Sequence, residues 1–176
     1  MTGERAYIGI GSNLGDRIRC CQEAIRAMSE IAGVTVIRLS SFYETAPMPP
    51  ASGDWFVNGV ISVQTQLKPE ALLLELRRIE RSMGRAMERA RGSDRSIDLD
   101  LLLVGSQVVE QPDLTLPHPR LHQRRFVLAP LCELDPDFRH PVFGVTMRQL
   151  LERLDDPSLV RLLAPATRST GPGENS

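Results

Sequence analysis

Hydrophobic positions along this chain repeat with two periods, and the points where one period gives way to the other divide it into elements. Ala6 to Ile10 reads as a strand closed by a polar turn from Gly11 to Asp16. Ile18, Cys21, Ile25 and Met28 then recur at helical spacing until Gly33 ends the pattern. Val34 to Ser41, rich in β-branched residues, predicts a second strand, and Val57 to Gln66 a third. Between them, residues 45 to 54 hold Pro47, Pro49, Pro50 and Gly53 and read as a loop. Pro69 opens a second helix at its first turn, with Leu72, Leu76, Ile79 and Met83 as its apolar stripe and Gly84 as its stop.

After a second irregular stretch, from Arg85 to Arg95, Ile97, Leu99, Leu101 and Leu103 alternate with Asp98, Asp100, Leu102 and Val104. This two-residue period predicts a strand that puts both carboxylates on one face. Their Cα atoms should stand roughly 6.6 Å apart, two rises along the strand. That is close enough for both side chains to converge on one or two hard cations, which also hold substrate phosphates. A solvated outer face is the alternative. Gly105-Ser106 reads as a hairpin turn into a short strand at Gln107 to Glu110, and residues 126 to 134 and 146 to 154 as further helices. The order β-α-β-β-α-β-β favours an α+β sheet with mixed or antiparallel pairing over a doubly wound parallel one.

Composition narrows the function. With 176 residues, 41% of them hydrophobic, the chain reads as one domain over residues 1–163, with a frayed tail over 164–176. Such a domain buries roughly 70% of the surface its unfolded chain exposes. Lys and Arg number 21 against 22 Asp and Glu, a net charge of −1, which argues against a general nucleic-acid or membrane binder. Cys20, Cys21 and Cys132 have no zinc-ligand spacing and read as reduced packing residues. No signal segment or long apolar run is evident, so a soluble cytoplasmic monomer is expected.

Positive charge is concentrated beside the acidic pair. Arg77, Arg78, Arg81, Arg85, Arg89, Arg91 and Arg95 stand against only Glu80, Glu88 and Asp94. Arginine forks bind phosphate oxygens two at a time, so this stretch suits a polyphosphate, with Arg85 and Arg95 the better candidates for it. The run Gly9-Ile10-Gly11-Ser12-Asn13-Leu14-Gly15 follows a strand as a dinucleotide fingerprint would. Its third glycine is one residue late, and a structural turn that supports neighbouring loops is the better reading. Phe56 and Asn58, two apart on the third strand, could stack on and hydrogen-bond to a flat heterocycle, or form a core ring beside a satisfied amide. Prolines on both sides of His118 hold it in an extended turn where it could meet a phosphate, while His122 reads as surface.

Five stretches in order resemble the 6-hydroxymethyl-7,8-dihydropterin pyrophosphokinase family over about residues 5 to 155. They are Tyr-Ile-Gly-Ile-Gly-Ser-Asn-Leu-Gly-Asp from Tyr7, Ser-Ser-Phe-Tyr-Glu-Thr-Ala-Pro from Ser40, Phe-Val-Asn from Phe56, Arg-Ser-Ile-Asp-Leu-Asp-Leu from Arg95, and Leu-Pro-His-Pro-Arg-Leu-His-Gln-Arg-Arg-Phe-Val-Leu from Leu116. The resemblance implies a ferredoxin-like three-layer αβα sandwich around a mostly antiparallel sheet. It also implies pyrophosphate transfer from ATP, the co-substrate, to the pterin hydroxymethyl group, a step of folate biosynthesis that leaves AMP. By position, Asp98 and Asp100 would hold two Mg²⁺ ions. Arg85 and Arg95 would be catalytic and, with His118 and Arg124, would contact or cover the triphosphate; Arg77, Glu80, Leu101 and Thr115 would complete the nucleotide pocket. The pterin would lie between Phe56 and Phe126, bonded by Asn58, edged by Thr45, Ala46 and Met48, and close to Asp98.

This chain departs from the family pattern at Glu88, where a basic residue is frequent, and at Gly92-Ser93-Asp94, where bulk is common. Both changes put negative charge near the triphosphate, so weaker ATP binding or a weaker closing step is expected. A non-catalytic pterin or nucleotide binder is the rival reading. A single-stranded RNA binder would need more than the 5% aromatic content found here.

Overall fold

In chain order, the residues that the computed structural model describes, 2–13, 15–47, 54–84 and 97–164, form eight strands and four α-helices, with a single 3-10 turn at Leu121–Gln123. These are β1 (Glu4–Ser12), α1 (Arg17–Ser29), β2 (Val34–Leu39), β3 (Phe42–Thr45), β4 (Phe56–Thr65), α2 (Pro69–Ser82), β5 (Asp98–Val104), β6 (Val109–Gln111), β7 (Leu114–Leu116), α3 (Arg125–Leu134), α4 (Met147–Arg153) and β8 (Val160–Ala164). The main sheet runs β5-β1-β4-β3-β8, with β2 also paired to β4, and its pairings are antiparallel.

Two helices cover each face. Cys21, Ala24 and Met28 of α1 and Leu72, Leu76 and Ile79 of α2 pack against Ala6, Ile8 and Ile10 of β1. On the other face, Val127, Leu128 and Leu131 of α3 and Met147 of α4 pack against Tyr7, Val60 and Leu102. The result is the expected α+β ferredoxin-like sandwich. The helix ends follow local chemistry: Asp16 Oδ1 accepts the Arg19 N–H at 3.2 Å to cap α1, Pro69 opens α2, and Thr146 with Gln149 forms a reciprocal capping box on α4.

Several boundaries differ from the sequence expectation. β1 runs on to Ser12, so Gly9 and Gly11 are strand residues and Gly11 is not part of the turn. The strand expected over Val34 to Ser41 is β2, which stops at Leu39; β3, from Phe42, was not expected, and Thr45, expected in a loop, ends it. At the break, Ser40 N donates to Val60 O and Ser40 Oγ accepts from Val60 N, at 2.9 and 2.8 Å. Ser41 N and Oγ both donate to Glu133 Oε1, at 2.9 and 2.7 Å.

β5 carries a bulge. Tyr7 opposes Leu103 and Ile8 opposes Leu101, which leaves Leu102 as the extra residue. The alternation therefore slips, and Leu103 joins the α3 side while Val104 joins the α1 and α2 side. Gly105-Ser106 does turn the chain, but the strand that follows, β6, pairs with β7 in a separate ribbon rather than with β5. β8 was not anticipated; Ala164, expected in the tail, is its last residue, and residues 165–176 lie outside the described residues.

Candidate active site

Strand register assembles the site. Tyr43 of β3 opposes Asn58 of β4, Asn58 opposes Gly11 of β1, and Gly11 opposes Asp98 of β5. Two residue pairs further along, Gly9 opposes Asp100. Period-two alternation puts Phe56, Asn58, Asp98 and Asp100 on the face covered by α3. A Cβ built on Gly9 would stand 3.7 Å from Asp100 Cβ, and one on Gly11 would stand 2.9 Å from Asn58 Oδ1. The glycines thus leave the floor between the amide and the carboxylates low.

Asp98 and Asp100 share one face, as the sequence spacing predicts, and both are half-buried. Buried Leu99 lies between them on the opposite face, and its N–H donates to Glu80 Oε1 at 2.8 Å. β5 is an edge strand, so this N–H points away from the sheet, and the buried Glu80 of α2 takes the place of a strand partner. Among the described residues no group of three or more His, Cys, Asp or Glu side chains forms a metal cage. Two carboxylates on one face fit Mg²⁺, which keeps waters and takes substrate phosphates as its remaining ligands; they do not fit a structural zinc site.

A cleft of about 400 Å³ opens beside the acids. Arg77 and Glu80 line it from α2, Leu101 from β5, Thr115 from β7, and His118 from the turn that follows. The Leu116–Pro117 peptide is cis, and His118 N donates to Leu102 O at 2.9 Å. His118 Nδ1 accepts the Arg120 N–H at 3.1 Å, which leaves the proton of the neutral ring on Nε2. Burial first, then Arg124 and Arg120, pushes the imidazole down to about 4, against the opposing pull of Asp98.

Arg124 is also half-buried. Burial lowers its pKa while Asp100 works the other way, and a guanidinium so placed stays charged. Its Cζ lies 5.4 Å from the centre of the Phe126 ring, in the first turn of α3. On the neighbouring strands, Asn58 Nδ2 donates to Thr45 Oγ1 at 2.8 Å, in a buried bond that orients the amide. A partly exposed ring at Phe56, an oriented amide, the Phe126 ring and a carboxylate pair thus share one face.

The sequence profile of 7,8-dihydro-6-hydroxymethylpterin-pyrophosphokinase matches residues 7–136. This chain belongs to that family. It is 36% identical over 157 residues to the 2-amino-4-hydroxy-6-hydroxymethyldihydropteridine pyrophosphokinase of Haemophilus influenzae, covering 89% of this chain and 97% of that one. It is 41% identical over 163 residues to the folic acid synthesis protein fol1 of Pneumocystis carinii, covering 93% of this chain but only 22% of that protein. The crystal structure of wild-type Plasmodium falciparum HPPK-DHPS shares the fold, with a TM-score of 0.68 at 15% identity, over 85% of this chain and 44% of that chain.

As a member, the chain is an enzyme of the pyrophosphokinase class. Of the site residues expected from the sequence, Asp98, Asp100, Arg77, Glu80, Leu101, Thr115 and His118 line one cleft. Thr45, Phe56 and Asn58 meet on adjoining strands. Arg124 and Phe126 join them from the start of α3, and Ala46 follows directly on β3. Met48, Arg85 and Arg95, with the departures at Glu88 and Gly92-Ser93-Asp94, lie outside the described residues. His122 is no bare surface residue: its ring meets Phe143 edge-on at 4.8 Å. The sequence reading missed Leu73, Asp113 and Pro119 in the cleft wall, which no periodic signal marks. It also missed Gly11 as the spacer between Asn58 and Asp98, a role visible only once the strands are in register.

Proposed function

We propose that this chain transfers pyrophosphate from ATP to the hydroxymethyl group of 6-hydroxymethyl-7,8-dihydropterin, giving AMP and the pterin diphosphate. The row Asn58–Gly11–Asp98 is the observation that carries the reading. In this reading it provides a pterin-sized platform beside a carboxylate pair and the cleft that those carboxylates line. In this reading the pterin stacks between Phe56 and Phe126 and bonds to Asn58, with its hydroxymethyl arm directed along the row towards Asp98. ATP occupies the cleft, its base near Leu101 and Thr115 and its phosphates towards His118, Arg124 and Arg77.

Asp98 and Asp100 are the residues that would hold two Mg²⁺ ions. When bound, these neutralise phosphate charge and steady the oxygens of an in-line displacement at phosphorus. The pterin hydroxyl oxygen forms a bond to the β-phosphorus, the bond from that phosphorus to the oxygen shared with the α-phosphate breaks, and the hydroxyl proton leaves to solvent. AMP departs with the bridging oxygen. His118, neutral with its proton on Nε2, offers a phosphate oxygen an uncharged donor beside the permanent charge of Arg124. Arg85 and Arg95 join this set by the family resemblance.

The test is direct. The chain is incubated with ATP, Mg²⁺ and 6-hydroxymethyl-7,8-dihydropterin, and AMP is followed. AMP that appears only with pterin present supports the reading. Binding of both ligands without AMP would establish the non-catalytic binder instead.

A further inference from the structure

Glu44 is 7% exposed, on the sheet face opposite the candidate site, and a carboxylate so placed is costly unless its oxygens are matched. Two arginines match them. Arg17 Nη2 reaches Oε1 at 2.8 Å from α1, and Arg161 reaches Oε2 from β8 with Nε at 2.9 Å and Nη2 at 2.7 Å. Together they hold its carboxyl below the usual carboxylate range, Arg161 making the larger contribution.

The same two guanidinium groups grip Trp55. Arg17 Nη1 donates to the Trp55 carbonyl oxygen, and Arg161 Cζ lies 4.4 Å over the indole ring. Four residues from four parts of the chain therefore close a circuit. Two of them directly precede the expected pterin contacts: Glu44 precedes Thr45 and Ala46, and Trp55 precedes Phe56. β8 reinforces the grip through the pairs Glu44–Arg161 and Thr45–Val160 and through the Ala46 N–H, which donates to Leu159 O at 3.2 Å. β8 lies beyond residues 7–136, the span matched by the family profile.

We propose that Arg161 is a positioning residue for pterin recognition, acting through Glu44 and Trp55 to fix the two strand ends that present Thr45, Ala46 and Phe56. This rests on the reading of those residues as the pterin subsite. Among the described residues, the Arg161 side chain meets Glu44 and Trp55 and none of the candidate site residues; it works from beneath the sheet. Its side chain is 65% exposed, and Arg17 stays on the buried Glu44 carboxylate when Arg161 is lost, so the cost to global stability is limited. What its loss changes is the relative placement of two strand ends, so the effect falls on one ligand and not on the fold.

The experiment compares parent, Arg161→Ala and Arg161→Lys. Each is titrated with 6-hydroxymethylpterin in the presence of Mg²⁺ and a saturating non-hydrolysable ATP analogue, then with the analogue alone, and thermal midpoints are recorded. Arg161→Ala should raise the pterin Kd about five- to tenfold, the low end of coupling between separate sites, and leave the analogue's Kd near the parent value. Arg161→Lys should fall between, since it keeps the charge but loses the planar fork and its stacking on Trp55. Parent-like pterin affinity in Arg161→Ala would overturn the proposal, as would an equal loss of both ligands. If the parent itself fails to bind pterin, the subsite reading falls and takes this inference with it. A parent that binds, beside a variant that binds equally well, sinks the inference alone.

Discussion

Asn58 and Asp98 stand on either side of Gly11, each opposite that glycine across an antiparallel ladder. Two strand spacings put their Cα atoms about 10 Å apart on the same face. That distance suits a bicyclic ring held at one end and reacting at the other. It depends on the middle residue having no side chain, because a Cβ there would stand 2.9 Å from Asn58 Oδ1.

Gly11→Ala should therefore leave the fold intact while swinging the Asn58 amide away from Thr45. A lost hydrogen bond of about 1 kcal/mol corresponds to a pterin Kd raised several-fold. Isothermal titration with 6-hydroxymethylpterin checks this, and an unchanged Kd would show that the amide takes no part in binding.

Glu80 shows how the acidic strand is held in place. Glu80→Ala leaves the buried Leu99 N–H without its carboxylate partner and should cost about 1–3 kcal/mol of stability. Glu80→Gln keeps an acceptor and should cost less. Urea unfolding of the three proteins measures both, and an Ala variant as stable as the parent would mean that water serves Leu99 equally well.

His118 sets a pH dependence. Its pKa falls from 6.5 to about 4 in the fold, chiefly through burial. Between those values the unfolded chain takes up a proton that the folded chain refuses, so stability rises with pH across the window and is lost as pH falls through it. His140, lowered by burial in the same direction, adds to the slope, and His118→Gln should remove only part of it. An NMR titration of the metal-free protein should give a His118 midpoint near 4; a midpoint at 6.5 or above would contradict the buried, neutral ring.

The elements legible in the sequence are those whose signal is local. Apolar spacing with Asp16, Pro69 and Gly84 as punctuation marks both long helices, and the Asp98–Asp100 period places two carboxylates on one face. What the sequence hides is set by distant partners. Val34 to Ser41 reads as one strand, and the break at Ser40 comes from Val60 and from Glu133, 92 residues beyond Ser41. The bulge at Leu102 leaves the leucine run unaltered, and β6 turns to β7 although Gly105-Ser106 looks like a hairpin. Gly11 looks like a turn residue, and nothing local marks the role of Gly9, for the same reason: their absent side chains matter only against Asn58 and Asp100 on neighbouring strands.

The most direct measurement is AMP formation by Asp98→Asn and Asp100→Asn beside the parent, at saturating ATP and pterin across a Mg²⁺ titration. Each variant keeps side-chain size on a half-buried position, so the thermal midpoint should stay close to that of the parent. Turnover should fall at least about 10²-fold, as when one preorganised electrostatic group is removed from a reacting centre. A folded variant that makes AMP at near the parent rate with the same Mg²⁺ requirement would contradict the assignment of the carboxylate pair as the metal-holding centre of pyrophosphate transfer.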